Sequence, residues 1–151
     1  MKKIMVIYHS QEKGNTKRLA ELVSKGCAQV EGIKVQMVNV NEARIDMKEF
    51  ERSDGVALGT PDYFSYMAGG LKQFFDDAMI ARWEGRNIEG KPYVAFCTHG
   101  GGGTAIKSVE KLAEAVGFKK VAPSVTCQGS PKGDVVKEAI LLGKTLAENL
   151  K

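Results

Sequence analysis

This 151-residue chain holds no CxxC pair and no Cys/His cluster at zinc-ligand spacing, so nothing in it reads as a structural zinc site. Its three cysteines, Cys27, Cys97 and Cys127, are an odd number spread far apart. The N-terminus Met1-Lys2-Lys3 leads into a short apolar run with no small-residue cleavage site after it. Free thiols in a reducing compartment, the cytoplasm, are therefore expected rather than a disulfide framework. No apolar run approaches the ~20 residues that cross a bilayer. The net charge is only +4 and the lysines are scattered, whereas a nucleic-acid surface needs a concentrated basic stripe. GxxxxGK[ST] and GxGxxG are both missing, which excludes the two best-marked nucleotide loops.

What remains is an ordinary globular composition, 43% hydrophobic and 26% charged, with a length that suits one compact domain over 1–151. Short apolar runs alternate with helical patterns. Residues 3–8 read as a buried central strand. Residues 16–31 read as a helix with Leu19, Leu22, Val23, Cys27 and Val30 inward. Residues 33–37 alternate, as a strand near a sheet edge does. A short helix is expected within 42–53, a strand over 55–59, and a helix over 68–82 with Leu71, Phe74, Phe75, Ala78 and Met79 on one face. A strand over 92–97, a helix over 104–116, a fifth strand over 120–126 and a last helix over 133–150 complete five βα units. Trp83, just after the third helical stretch, is expected to pack in the core rather than cover a pocket edge or a subunit contact. Such alternation implies an α/β, three-layer, doubly wound five-stranded parallel sheet. Ligands bind such sheets at the carboxyl ends of strands, near the point where strand order reverses.

Three strand-to-helix loops carry chemistry. Ser10-Gln11-Glu12-Lys13-Gly14-Asn15-Thr16 offers hydroxyls, amides and a glycine at a helix start, where backbone N–H groups bind anions. The same residues would also serve as a plain N-cap. Thr60-Pro61-Asp62-Tyr63-Phe64-Ser65-Tyr66 is unusually aromatic for a surface loop. It fits a flat apolar ligand, or packing of its rings on neighbouring helices or a partner subunit. Thr98-His99-Gly100-Gly101-Gly102-Gly103 spends four glycines where a turn needs one or two. Backbone lying close against something flat would need them, and so would a merely flexible loop.

In this order the loops resemble those of the flavodoxin-like FMN proteins. Ser10…Gly14-Asn15-Thr16 is similar to the family's phosphate loop, and the Thr60–Tyr66 and Thr98–Gly103 segments are similar to its two ring-holding loops. The pattern Pro61-x-Tyr63-Phe64…Gly70-Leu71-Lys72-x-Phe74-x-Asp76 resembles the NAD(P)H-dependent FMN reductase branch. Gly59-Thr60-Pro61 with the glycine run resembles quinone reductases related to the tryptophan-repressor-binding protein. The resemblance implies strand order 2-1-3-4-5 and bound FMN. It places the phosphate on Ser10, Gln11, Gly14, Asn15 and Thr16, with Lys13 adding charge or standing solvated and Glu12 pointing away. It places the ring between Thr60, Pro61, Asp62, Tyr63, Phe64 and Ser65 on one side and Thr98, His99, Gly100, Gly101 and Gly102 on the other.

By the same resemblance, electrons would pass from NAD(P)H or a redox partner protein to a small acceptor such as a quinone, with neither membrane nor nucleic acid involved and a homodimer left open. His99 could donate a proton to the acceptor or stabilise charge on the reduced ring. His9 is expected to be a strand-end residue with a satisfied hydrogen bond, although a phosphate dianion nearby would favour its protonated form. Two departures stand out. Typical flavodoxins are strongly acidic, and commonly place an aromatic where this chain has His99 and glycines. A non-enzymatic electron carrier is the alternative. A response-regulator domain shares the architecture, but it needs an acidic cluster after its first strand, where this chain reads Tyr8-His9-Ser10; a nucleotide-binding module with another phosphate ligand would leave the aromatic and glycine-rich loops unexplained.

Overall fold

The computed structural model describes residues 1–11 and 13–150. In chain order the elements are β1 (Lys2–Tyr8), α1 (Asn15–Ala28), β2 (Ile33–Asn39), α2 (Met47–Glu51), β3 (Gly55–Pro61), α3 (Gly69–Trp83), β4 (Pro92–His99), α4 (Ala105–Val116), β5 (Lys119–Lys120), β6 (Val125–Gln128) and α5 (Asp134–Glu148). The sheet is parallel and runs β2-β1-β3-β4, with β5 and β6 both paired to the free side of β4. Strand order therefore reverses between β1 and β3, whose register sets Ile4 beside Gly55 and Tyr8 beside Gly59.

Period-two alternation sorts the strand side chains into two cores. Met5, Ile7, Val56, Leu58, Tyr93 and Ala95 face α2, α3 and α4, where Phe50, Leu71, Phe74 and Val109 meet them. Ile4, Val6, Ala57, Val94 and Phe96 face α1 and α5 and pack on Leu19, Val23, Leu142 and Leu146. Each fully buried side chain of this size contributes about 1.5–3 kcal/mol, so the β1 run alone anchors the sheet from both faces.

Three expectations need correction. The fifth strand is two short pieces, not one: Lys119–Lys120 pairs with the start of β4 and Val125–Gln128 with its end. Between them Pro123 has no N–H to give to a ladder. The helix expected within 42–53 is only Met47–Glu51, capped by Asp46, whose side chain accepts from the Lys48 N–H. Its far end is held by the buried Lys91 ammonium, which donates to the Glu51 and Ser53 carbonyls at 3.0 and 2.6 Å. Trp83 lies outside the core at 77% exposure, on the last turn of α3, while the inward face is taken by Phe74, Phe75, Ala78 and Ala81.

Candidate functional site

A cavity of about 820 Å³ opens at the carboxyl ends of β1, β3, β4 and β6, within the range of small-molecule and cofactor sites. At one end stands the start of α1. Its N-cap is Gly14 at φ 69°, and no side chain caps it from that position. Asn15 is not a cap, because its Oδ1 accepts from Arg18, which also donates to the Lys13 carbonyl. Ser10 reaches the helix from upstream, its Oγ accepting from the Lys17 N–H at 3.2 Å. The Ser10 backbone is in turn clamped by the Asn39 side chain, which accepts from Ser10 N and donates to Ser10 O at 3.0 Å each. The first turn of α1 contains no acidic residue. The result is a helix N-terminus with buried Ser10 and Thr16 hydroxyls and open space around Gly14 among the described residues, an electrostatic setting that favours an anion.

Thr16 and Thr98 share a buried hydroxyl hydrogen bond of 2.7 Å, joining this end to the segment after β4. There the glycine run divides. Only Gly103 has positive φ, and a Cβ on it would press the His99 ring at 2.9 Å, whereas Gly100 and Gly101 face open space among the described residues. His99 Nδ1 is buried and meets no hydrogen-bond partner among the described residues. Gln128 closes this side by donating to the Gly100 carbonyl at 3.2 Å.

The aromatic loop is a tight hairpin. Tyr63 and Tyr66 exchange backbone hydrogen bonds, and Phe64 and Ser65 between them sit at φ 59° and 62°, a left-handed pair that costs energy outside glycine. Asp62 holds it: one carboxylate oxygen accepts from the Ser65 N–H at 2.8 Å, the other from the Ala105 N–H opening α4 at 3.1 Å. The Tyr63 hydroxyl donates to Gln11 at 2.6 Å, linking the first two loops.

Of the residues singled out in the sequence, Ser10, Gln11, Lys13, Gly14, Asn15 and Thr16 line the cavity, as do Pro61, Asp62, Tyr63, Thr98, His99 and Gly100. Thr60, Phe64, Ser65, Gly101 and Gly102 are not in its lining. Thr60 is buried beneath, its hydroxyl accepting from Ala68 N–H, and Phe64 projects fully into solvent. Glu12 lies outside the described residues. Asn41, Gln128 and Gly129 line the cavity too and went unread. The amide pair Asn39/Asn41 and the Gln128-Gly129 end of a strand were the available signals.

A sequence profile of the flavodoxin family matches residues 6–143. The chain belongs to the flavodoxin family. It is 33% identical over 165 residues to a flavodoxin of Aquifex aeolicus, covering 98% of this chain and 86% of that one. It is 28% identical over 160 residues to an NAD(P)H dehydrogenase (quinone) of Syntrophus aciditrophicus, covering 89% and 78%. Among solved structures, a flavodoxin from the domain Archaea superposes with a TM-score of 0.84 at 25% identity, covering 97% and 96%.

Within this flavodoxin-family frame the remaining titratable groups fall into place. Cys97 and Cys127 sit one register step apart on adjacent strands, so their side chains point to opposite faces and cannot bridge. Burial pushes the Cys97 thiol up to about 12 and raises Cys127 as well, which leaves both inert. Among the described residues no helix is long and apolar enough to cross a membrane.

His9 is the strand-end residue with a satisfied hydrogen bond that the sequence led us to expect. Its Nδ1 accepts from the Gly70 N–H at 3.1 Å, and burial lowers its pKa below 6.5 against a smaller opposing effect of Gln11. Protonation therefore costs the folded state: the penalty is full below the lowered pKa, shrinks as pH rises, and is gone above about 6.5. Arg44, paired with Asp77 of α3, is the charged side chain that shares His9's groove. Stability of the ligand-free protein should rise as pH climbs toward about 6.5 and level off above it, and His9→Asn should flatten that slope in thermal melts at several pH values.

Asp62 gives a second expectation. Asp62→Ala removes a cap from α4 and the brace of a strained turn, and should cost roughly 1 kcal/mol in urea unfolding.

Proposed function

We propose that the whole chain works as one cytoplasmic FMN domain that takes electrons from NAD(P)H, or from a redox partner protein, and passes them to a small acceptor such as a quinone. The observation that carries this reading is the composition of the cavity: three buried hydroxyls and a helix N-terminus at one end, Tyr63 and open glycine backbone at the other. That donor set fits a phosphate monoester joined to a planar ring. Asp62, the carboxylate in the lining, is already engaged by two N–H groups and leaves little repulsion toward an anion.

Bound there, FMN would supply hydride and single-electron transfer, chemistry beyond ordinary side chains. Ser10, Thr16 and the α1 N-terminus would hold the phosphate, with Lys13 adding positive charge. Tyr63 and the Thr98–Gly100 backbone would orient the ring. His99, in the cavity lining, would hold the proton delivered to an acceptor. His99→Ala should then slow acceptor reduction several-fold, on the scale of general acid catalysis or below it, while FMN stays bound; unchanged kinetics would remove His99 from the reaction.

The similarity to a flavodoxin at 33% identity supports a second reading, an electron carrier without NAD(P)H activity. Anaerobic titration of the FMN-loaded protein with NADH and with NADPH separates the two. Bleaching of the flavin spectrum by either nucleotide supports the reductase. Bleaching by dithionite alone supports the carrier.

A further inference from the structure

The outer face of α3 turns Gln73 and Asp76 toward solvent in its first half and then becomes apolar, with Ile80 at 51% exposure and Trp83 at 77%. A single exposed isoleucine is ordinary, but an indole left in water beside it is not. Against Ile80 lies a groove of about 280 Å³. Ile45, Met47, Ile80 and Ala81 give it apolar walls, and Arg44 and Arg86 also line it. At 3.6 residues per turn, Asp77, Ala81 and Glu84 fall on one side of Ile80, and Asp76 and Trp83 on the other. The groove takes the first side. One face therefore carries a knob and a hole, separated by the Ile80 ridge. Rotation by half a turn about an axis along that ridge, parallel to α3, exchanges the two sides. It sets the Trp83 indole of each copy against the groove of the other, at the level of Ala81 and Glu84. It also brings Asp76, half-exposed, opposite Arg44, which stays 69% exposed although it pairs with Asp77.

We propose that this face of α3 binds a second copy of the chain, as a weak two-fold dimer with each Trp83 seated in the groove of the other copy. A two-fold contact needs a self-complementary patch, and this one matches itself in shape and in charge. Asp76 and Arg44 supply the charge, and the seated indole meets the guanidinium groups of Arg44 and Arg86, a cation–π setting. A buried Trp covers about 150–250 Å². Two of them, with two Ile80 side chains, stay below the ~1,200 Å² at which stable complexes begin. The dimer is therefore reversible, with a Kd of about 100 µM. Trp83 ends α3, about 20 Å along the helix from Gly69 beside the aromatic loop, so the cavity mouth stays open in both copies. The contact does not depend on which ligand the cavity takes.

Sedimentation equilibrium of the full chain between about 10 µM and about 1 mM should show its mass rising from monomer toward dimer. Emission from Trp83, the only tryptophan in the sequence, should shift to the blue over the same range as the indole leaves water. Trp83→Ala should weaken association about tenfold or more. Its exposure means that this substitution leaves the fold intact, which circular dichroism checks. A charge swap tests the arrangement itself. Asp76→Lys sets a like charge opposite Arg44, and Arg44→Glu sets one opposite Asp76, at the loss of an exposed pair with Asp77 that is worth little. Each variant alone should stay monomeric. Mixed, the two variants bring opposite charges together at both places, and the mixture should associate about as tightly as wild type. Wild-type protein that stays monomeric at about 1 mM would overturn the proposal and leave the face to a different protein. So would a Trp83→Ala variant that dimerises as wild type does, or a mixture no tighter than its separate components.

Discussion

Gly143→Ala should destabilise this protein by about 3 kcal/mol, at the upper end of what overpacking normally costs. A Cβ on Gly143 would stand 1.9 Å from the Val23 carbonyl oxygen, and one on Gly26 would stand 1.8 Å from the Ile140 carbonyl oxygen. Both obstacles are backbone, so no side chain can rotate away. Helices α1 and α5 must move apart, which loosens Leu19, Val23, Cys27, Leu142 and Leu146 in the core they share. Because α1 begins at the end of the cavity proposed to hold the phosphate, the displacement should also weaken ligand binding there. Gly101→Ala is the control: it faces open space among the described residues and does not have positive φ, so its effect should stay within about 0.5 kcal/mol. Urea unfolding of the two variants checks this, and equal midpoints for wild type and Gly143→Ala would contradict it.

The second large effect belongs to Thr16→Val. Valine keeps the shape of threonine and deletes its hydroxyl, leaving the Thr98 hydroxyl, at 4% exposure, without its 2.7 Å partner. An unsatisfied buried hydroxyl costs about 1–3 kcal/mol. The protein should melt at lower temperature and, where Thr16 serves the phosphate, bind FMN roughly 10- to 100-fold more weakly. Thr16→Ser should recover most of both. Fluorescence titration with FMN measures the loss. A valine variant that binds as wild type would show that this hydroxyl holds no ligand.

How far the sequence led depends on how local each signal was. The β1 run and the 69–83 helix were legible because burial on both faces, or on one face, writes a period into the chain. The three loops were legible because glycine, hydroxyl and aromatic residues cluster at strand ends. Gly26 and Gly143 were not, since a glycine inside a helix gains meaning only from the helix opposite it. Nor was the break between β5 and β6, because Val121 and Ala122 read as strand until the missing N–H of Pro123 is set against β4. Asn41 and Gln128 complete the cavity from just after β2 and from the end of β6, elements whose neighbours only the fold supplies. His9 looked like a strand-end residue with a satisfied hydrogen bond. One nitrogen is satisfied, and the other is buried without a hydrogen bond among the described residues.

The central claim is that the cavity recognises FMN by its phosphate as well as its ring. Purified flavin-free protein should be titrated in parallel with FMN and with riboflavin, which has the ring and lacks the phosphate, following flavin fluorescence. The account predicts saturable one-to-one binding of FMN, with riboflavin weaker by at least about tenfold. No FMN binding, or equal binding of the two, would contradict it.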